Sequence, residues 1–178
     1  MPTAAEINEP LIREYITRAV GDVFKTMLGR ESAFVSATVQ AHDDGMSAPA
    51  PGPANGMTPY VVGTVGFLGD VNGLIYLYLD EPFSRLCTCH LLGMTDRELD
   101  EAGDEVINDA IGELTNMTVG SFKNGLCDAG FPCKLTIPSI LRGSNFSIEP
   151  VSTATRHTYT YESAGHKVVA EILLKIGD

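Results

Sequence analysis

The sequence predicts an α+β fold, an antiparallel β-sheet with helices packed on one face. Two observations carry this. Short runs rich in β-branched and aromatic residues recur from residue 60 onward and are joined in several places by tight turns, with helical periodicity before and between them. Strands linked by a few residues pair antiparallel, whereas a doubly wound parallel sheet needs a long crossover at every step.

Taken in order, EPLIREYITRAVGDVFKTMLG (9–29) reads as a helix, with Pro10 in its first turn and an apolar stripe of Leu11, Tyr15, Val20, Val23, Phe24, Met27 and Leu28. FVSATVQ (34–40) reads as a strand. The Gly-, Pro- and Ala-rich run 41–59 has nothing to build a core from and reads as a surface loop. YVVGTVGFLG (60–69) and GLIYLYLD (73–80) form a hairpin through GDVNG. PFSRLCTCHLLG (82–93) is a short helix begun by Pro82 and stopped by Gly93. Thr95 and Asp96 are candidate caps for a long helix over residues 98–126. Strands then follow at 133–141, 145–152, 156–163 and 166–176.

The chain has 178 residues, long enough for one domain with a real core and short for two, so residues 1–178 read as a single domain. Its 23 acidic residues against 12 basic ones leave a formal net charge of −11, which repels phosphate backbones and anionic lipids. Nucleic-acid and membrane roles are thereby disfavoured, and a basic patch on a protein partner is welcome. No apolar run of about 18 residues occurs. The opening MPTAAEINEPLIREY lacks the apolar centre of a secretory signal, so the expected location is the cytoplasm.

Cys87, Cys89, Cys127 and Cys133 make no C-x-x-C pair and read as free thiols. In CTCH, Cys87 and His90 share a helical face while Cys89 points elsewhere, too few ligands for a closed metal site. No metal and no cofactor of the chain's own is expected. His42 falls in the Gly- and Pro-rich run, His90 in the short helix, and His157 and His166 flank the last hairpin, placed to pair across strands. None lines up with a nucleophile or a partner base.

The stretch NDAIGELTN (108–116) stands out. At about 100° per residue, with Asp109 at zero, Glu113 lies at about 40°, Asn116 at about −20° and Gly120 at about 20°. Ile107, Ala110, Ile111, Leu114, Thr118 and Phe122 gather opposite, so the polar line faces away from the core. A solvated helix face explains much of this. It does not explain like charges four apart, an asparagine in mid-helix, or Gly112 and Gly120 beside the line, since each disfavours the helix. Glycines beside polar groups suggest a shallow surface that another protein can approach closely.

The pattern D-x-x-x-E-x-x-N, present as Asp109, Glu113 and Asn116 and followed by Pro138, resembles the signature of the CheC/CheX/FliY phosphatases of bacterial chemotaxis. One copy is present, as in CheX, whereas CheC-like chains usually carry two. VGTVGFLGDVNGLIYLYLDE resembles the hairpin of the CheX-like domain, EVINDAIGELTNMTVGSFKNGL its motif helix, and KLTIPSILRGSNFSI the strands beyond, so the likeness runs over residues 9–176. The run 41–59 departs from it, being longer and richer in proline than expected there.

The resemblance implies a phosphatase that hydrolyses the phospho-aspartate of a CheY-like response regulator. Asn116 would seat the attacking water, Glu113 would dock on the receiver's lysine, and Asp109 would be a supporting contact. Pro138 is given no chemical role. Mg²⁺ would be held by the partner receiver. A non-catalytic binding or adaptor module of the same fold is the alternative, with a scaffold related to flagellar switch proteins as a third reading. The resemblance also implies a homodimer formed through sheet edges, with HKVVAEILLKI as the strand to hide if it lies at the border.

Overall fold

The structure is a computed structural model, described here for residues 6–41, 58–144 and 154–176. Helix α1 (Glu9–Leu28) is begun by Asn8, whose side chain accepts the Leu11 amide at 3.1 Å, and ended by Gly29 at φ 59°. Strand β1 (Ala33–Gln40) follows, then the hairpin β2 (Tyr60–Gly69) and β3 (Val71–Asp80). Helix α2 (Glu81–Leu92) starts on Asp80, which accepts the Phe83 amide at 2.7 Å, and stops at Gly93 with φ 64°. Helix α3 (Asp96–Ala102) opens with a reciprocal Thr95–Glu98 capping box. Helix α4 (Asp104–Asp128) leads to β4 (Cys133–Leu135), β5 (Ser139–Gly143), β6 (Thr155–Ser163) and β7 (His166–Ile176).

The strands make one antiparallel sheet in the order β1-β6-β7-β3-β2-β4, with β5 pairing the same border of β2 as β4. Helices cover one face. Phe67 of β2 meets Phe122 of α4 with ring centroids 5.8 Å apart, and Phe24 of α1 meets Phe83 of α2 at 6.1 Å. Thr17 of α1 hydrogen-bonds Tyr161 of β6 at 3.0 Å. On the other face Tyr60, Val62, Tyr78 and Val169 form a small separate cluster. There Arg156 and Glu171 form a buried ion pair at 3.8 Å, and burial raises the Glu171 carboxyl while Arg156 pulls it partly back.

Several expectations change. The long helix expected over 98–126 is two helices, broken at Gly103, whose φ of 88° and ψ of 178° suit glycine and interrupt the helical ladder. The stripe of α1 is displaced: Ile12, Ile16 and Ala19 are buried, while Leu11 and Tyr15 are only half-buried. The strand expected over 133–141 is split into β4 and β5, since Pro138 has no amide to give to the ladder. Strand β7 is not a border strand but lies between β6 and β3, and among the described residues the borders are β1 and the β4/β5 row. His157 and His166 do not pair, because His157 stands opposite Ile172 and His166 opposite Ser163. The expected loop 41–59 lies outside the described residues except at its ends, as do the strand 145–152 and His42.

Helix α4 lies close on β2. A Cβ added to Gly63 would come within 2.7 Å of the Thr115 Cβ, so only glycine lets the two backbones approach this far. A second close approach sets α4 against α1, where a Cβ on Gly125 would meet the Tyr15 ring at 2.9 Å. Gly63→Ala is expected to lower stability by about 3 kcal/mol, the upper end of ordinary overpacking. Thr115→Ala in the same chain should recover part of the loss. Urea denaturation of the two variants measures both.

Candidate functional site on helix α4

The buried residues of α4 run from Ile107 through Ile111, Leu114, Thr115, Thr118 and Phe122 to Leu126, and this arc decides what remains outside. Asp109 and Glu113 are exposed and Asn116 is half-buried. Glu113 and Asn116 therefore emerge one turn apart on the outward side of a helix whose inward side is fixed by packing. Neither Asp109 nor Glu113 has an ion-pair or hydrogen-bond partner among the described residues.

The glycines beside the line differ from expectation. Gly112 is buried, and a Cβ there would lie 3.9 Å from Ile140 of β5, an ordinary contact. Gly120 is half-buried with Leu135 at the same distance. The flank beyond Gly112 is closed by the chain's own β5, so it is not an open surface at that point.

Strand β5 also holds the start of α4. Helix α4 has no side-chain cap at Gly103, although Asp104 and Glu105 in its first turn suit the positive end of the helix dipole. Arg142 supplies an outside tie: its Nε donates to Asn108 Oδ1 at 2.6 Å and its Nη2 to the Asp104 carbonyl at 3.3 Å. Sequence reading missed this residue, because a lone arginine in a strand gives no sign of the helix it will meet.

On the other flank, α4 meets the last turns of α1 and α2. Met27, Leu91, Leu92 and Val106 line an open groove of about 390 Å³ that ends on Asp109 and Glu113. One signal for it was present. Leu91 and Leu92 stand about 100° apart around the helix just before Gly93, and Leu92 is turned outward, 51 % exposed.

The remaining reactive groups sit elsewhere in other roles. Burial pushes the Cys87 thiol up to about 12 and the Cys133 thiol up to about 11, and it also raises Cys89, so none of the three is an activated thiolate. Cys87 is buried while Cys89 is half-buried and His90 exposed, and no cluster of three or more metal-ligating side chains occurs among the described residues. His166 contacts Asp80 Oδ2 at 3.0 Å and stacks on Phe83, which clasps β7 to the start of α2. His157 is buried, which lowers its pKa. No helix among the described residues is long and apolar enough to cross a membrane.

The antiparallel sheet with helices on one face is shared with several solved structures. CheX from Desulfovibrio desulfuricans superposes with a TM-score of 0.74 at 22 % identity, over 92 % of this chain and 99 % of that one. A CheC-like protein from Shewanella sp. PV-4 gives 0.74 at 22 % identity, over 95 % and 99 %. The CheX–CheY–BeF3–Mg²⁺ complex from Borrelia burgdorferi gives 0.65 at 20 % identity, over 91 % and 96 %. A comparison with curated protein sequences found no match. The family model described as chemotaxis phosphatase CheX matches residues 61–162. The chain belongs to the CheX family of chemotaxis phosphatases.

Arg142→Ala is expected to cost about 1 kcal/mol, the usual scale for a part-exposed charged hydrogen bond. Amide exchange should quicken first at residues 104–108, which hydrogen-exchange mass spectrometry reads directly.

Proposed function

We propose that the chain hydrolyses the phospho-aspartate of a CheY-like response regulator, with Asn116 and Glu113 working inside the partner's active site. The observation that carries this reading is the pair itself, an exposed Glu113 and a half-buried Asn116 one turn apart on the outward face of α4, in a chain of the chemotaxis phosphatase family.

Transfer of a phosphoryl group to water requires a placed nucleophile and stabilised charge more than a covalent catalyst. The Asn116 amide oxygen accepts a hydrogen bond from the water while its NH₂ donates towards the phosphoryl region. Being neutral, the amide enters an anionic site that would repel a carboxylate. Glu113, one turn away, pairs with the receiver's lysine and sets the docking register, with Asp109 as a supporting contact. The metal, Mg²⁺, belongs to the receiver, as suggested by the CheY partner and Mg²⁺ of the Borrelia burgdorferi complex. The raised thiols of Cys87, Cys89 and Cys133 agree with a route through water.

Asn116→Ala is expected to abolish accelerated loss of phosphate from a phosphorylated receiver, a fall of about 100-fold or more, with the melting curve unchanged. Glu113→Ala should weaken both binding and turnover. Phosphate release from a receiver charged with acetyl phosphate tests this, and equal acceleration by wild type and Asn116→Ala would remove the catalytic role. Binding without any acceleration would leave an adaptor.

We also propose a homodimer, formed through the β1 border. Phe34, Val35 and Val39 there are 43, 57 and 46 % exposed on a strand with one side unpaired among the described residues. Sedimentation should give a mass twice the 19.0 kDa of one chain, reduced to one by Val35→Pro.

A further inference from the structure

The groove beside Glu113 has an unusual composition for a surface that meets only water. Its walls are apolar and come from three helices: Met27 ends α1, Leu91 and Leu92 end α2, and Val106 lies on α4. Its rim is Asp109 and Glu113, and among the described residues no lysine or arginine lines it. Lys25, in the last turn of α1, is engaged with Glu31 at 3.4 Å. Both α1 and α2 direct their C-terminal turns here, and helix C-termini carry partial negative charge. The groove is therefore greasy inside and negative at its mouth.

Its position matters as much as its chemistry. At about 100° per residue, Val106 and Ala110 lie beyond Glu113 on the side of α4 away from Asn116. Glu113 belongs to both features. It is the rim of the groove and a member of the outward pair, so a partner whose active site receives Asn116 must also lie over the groove. Asp109 and Glu113 repel each other across one turn, and a cation from the partner would relieve that repulsion.

We infer that this groove is a docking pocket for the phosphorylated receiver, taking an aliphatic or aromatic side chain into the space between Leu92 and Met27 while a neighbouring lysine or arginine pairs with Asp109. The inference rests on the proposed receiver phosphatase reading and extends it. The groove adds affinity and choice of receiver to what Glu113 contributes, and turnover depends on Asn116. Volume, charge and place agree: about 390 Å³ holds a large side chain, the mouth is anionic, and the pocket adjoins the outward pair.

The test uses the full chain and a CheY-like receiver held in its active state by beryllofluoride and Mg²⁺. Leu92 is half-exposed, so changing it spares the core. Leu92→Ser should raise the receiver Kd about tenfold, the size expected when a buried apolar anchor is lost. Leu92→Met should bind within about twofold of wild type, since it keeps the apolar fill. Asp109→Asn should weaken binding and flatten its dependence on salt. At saturating phospho-receiver, kcat for Leu92→Ser should equal the wild-type value. Wild-type binding by Leu92→Ser, or a lower kcat at unchanged Kd, overturns the groove as the docking pocket while leaving the phosphatase standing. If wild type binds through the groove yet never speeds phosphate loss, the phosphatase reading fails and the pocket stands. If wild type binds no CheY-like receiver, both are overturned.

Discussion

The seat of Thr115 on Gly63 is the contact on which the rest of the molecule depends. It fixes how far α4 stands from the sheet and how it is rotated about its own axis, since a Cβ on Gly63 would strike Thr115. Thr115 is held in place by its own helix, its Oγ1 donating to the Ile111 carbonyl at 2.6 Å. Once that point is set, Ile111, Leu114, Thr118 and Phe122 must face inward, and Asp109, Glu113 and Asn116 must face out. The outward pair thus owes its direction to buried groups that never meet a substrate.

Much of this was legible beforehand, and the reason lies in periodicity. A 3.6-residue repeat reports which side of a helix is wet, so the outward line on α4 and its buried opposite face could be read directly. The hairpin β2–β3 and the stop at Gly93 rest on local turn chemistry and were equally readable. Strand neighbours were not. Placing β7 in the centre of the sheet depends on pairing with β3 across a long stretch of chain, and nothing local in HKVVAEILLKI announces it. The same holds for Arg142, whose partners lie on α4. The break at Gly103 was missed because a single glycine inside a helical pattern is commonly tolerated. The shifted stripe of α1 has another cause, since it holds more apolar residues than one face needs and packing decides among them.

The division of labour around α4 follows from how little chemistry the chain itself carries. Asp109 and Glu113 have no partner among the described residues, Cys87 and Cys133 are held protonated by burial, and burial lowers the pKa of His157. What the fold supplies is firmness: a 25-residue helix pressed on a sheet, braced by Tyr15 on one side and by Arg142 on another. A rigid probe of this kind suits the proposed reaction, in which the metal and the phosphoryl group would arrive with the partner. Placement is then the whole contribution, and sub-ångström looseness would dissipate it.

The locked seat at Gly63 has a consequence for how such chains can vary in length. A helix pinned at its middle cannot absorb an insertion or a deletion by turning as a whole. One residue added between Thr115 and Asn116 would swing the amide through about 100° relative to the carboxylate. One residue lost between Gly103 and Ile111 would present apolar side chains to water and charges to the sheet. Growth and shrinkage are confined to the connections, so the stretch from Gly103 to Leu126 behaves as a ruler whose gradations cannot be respaced.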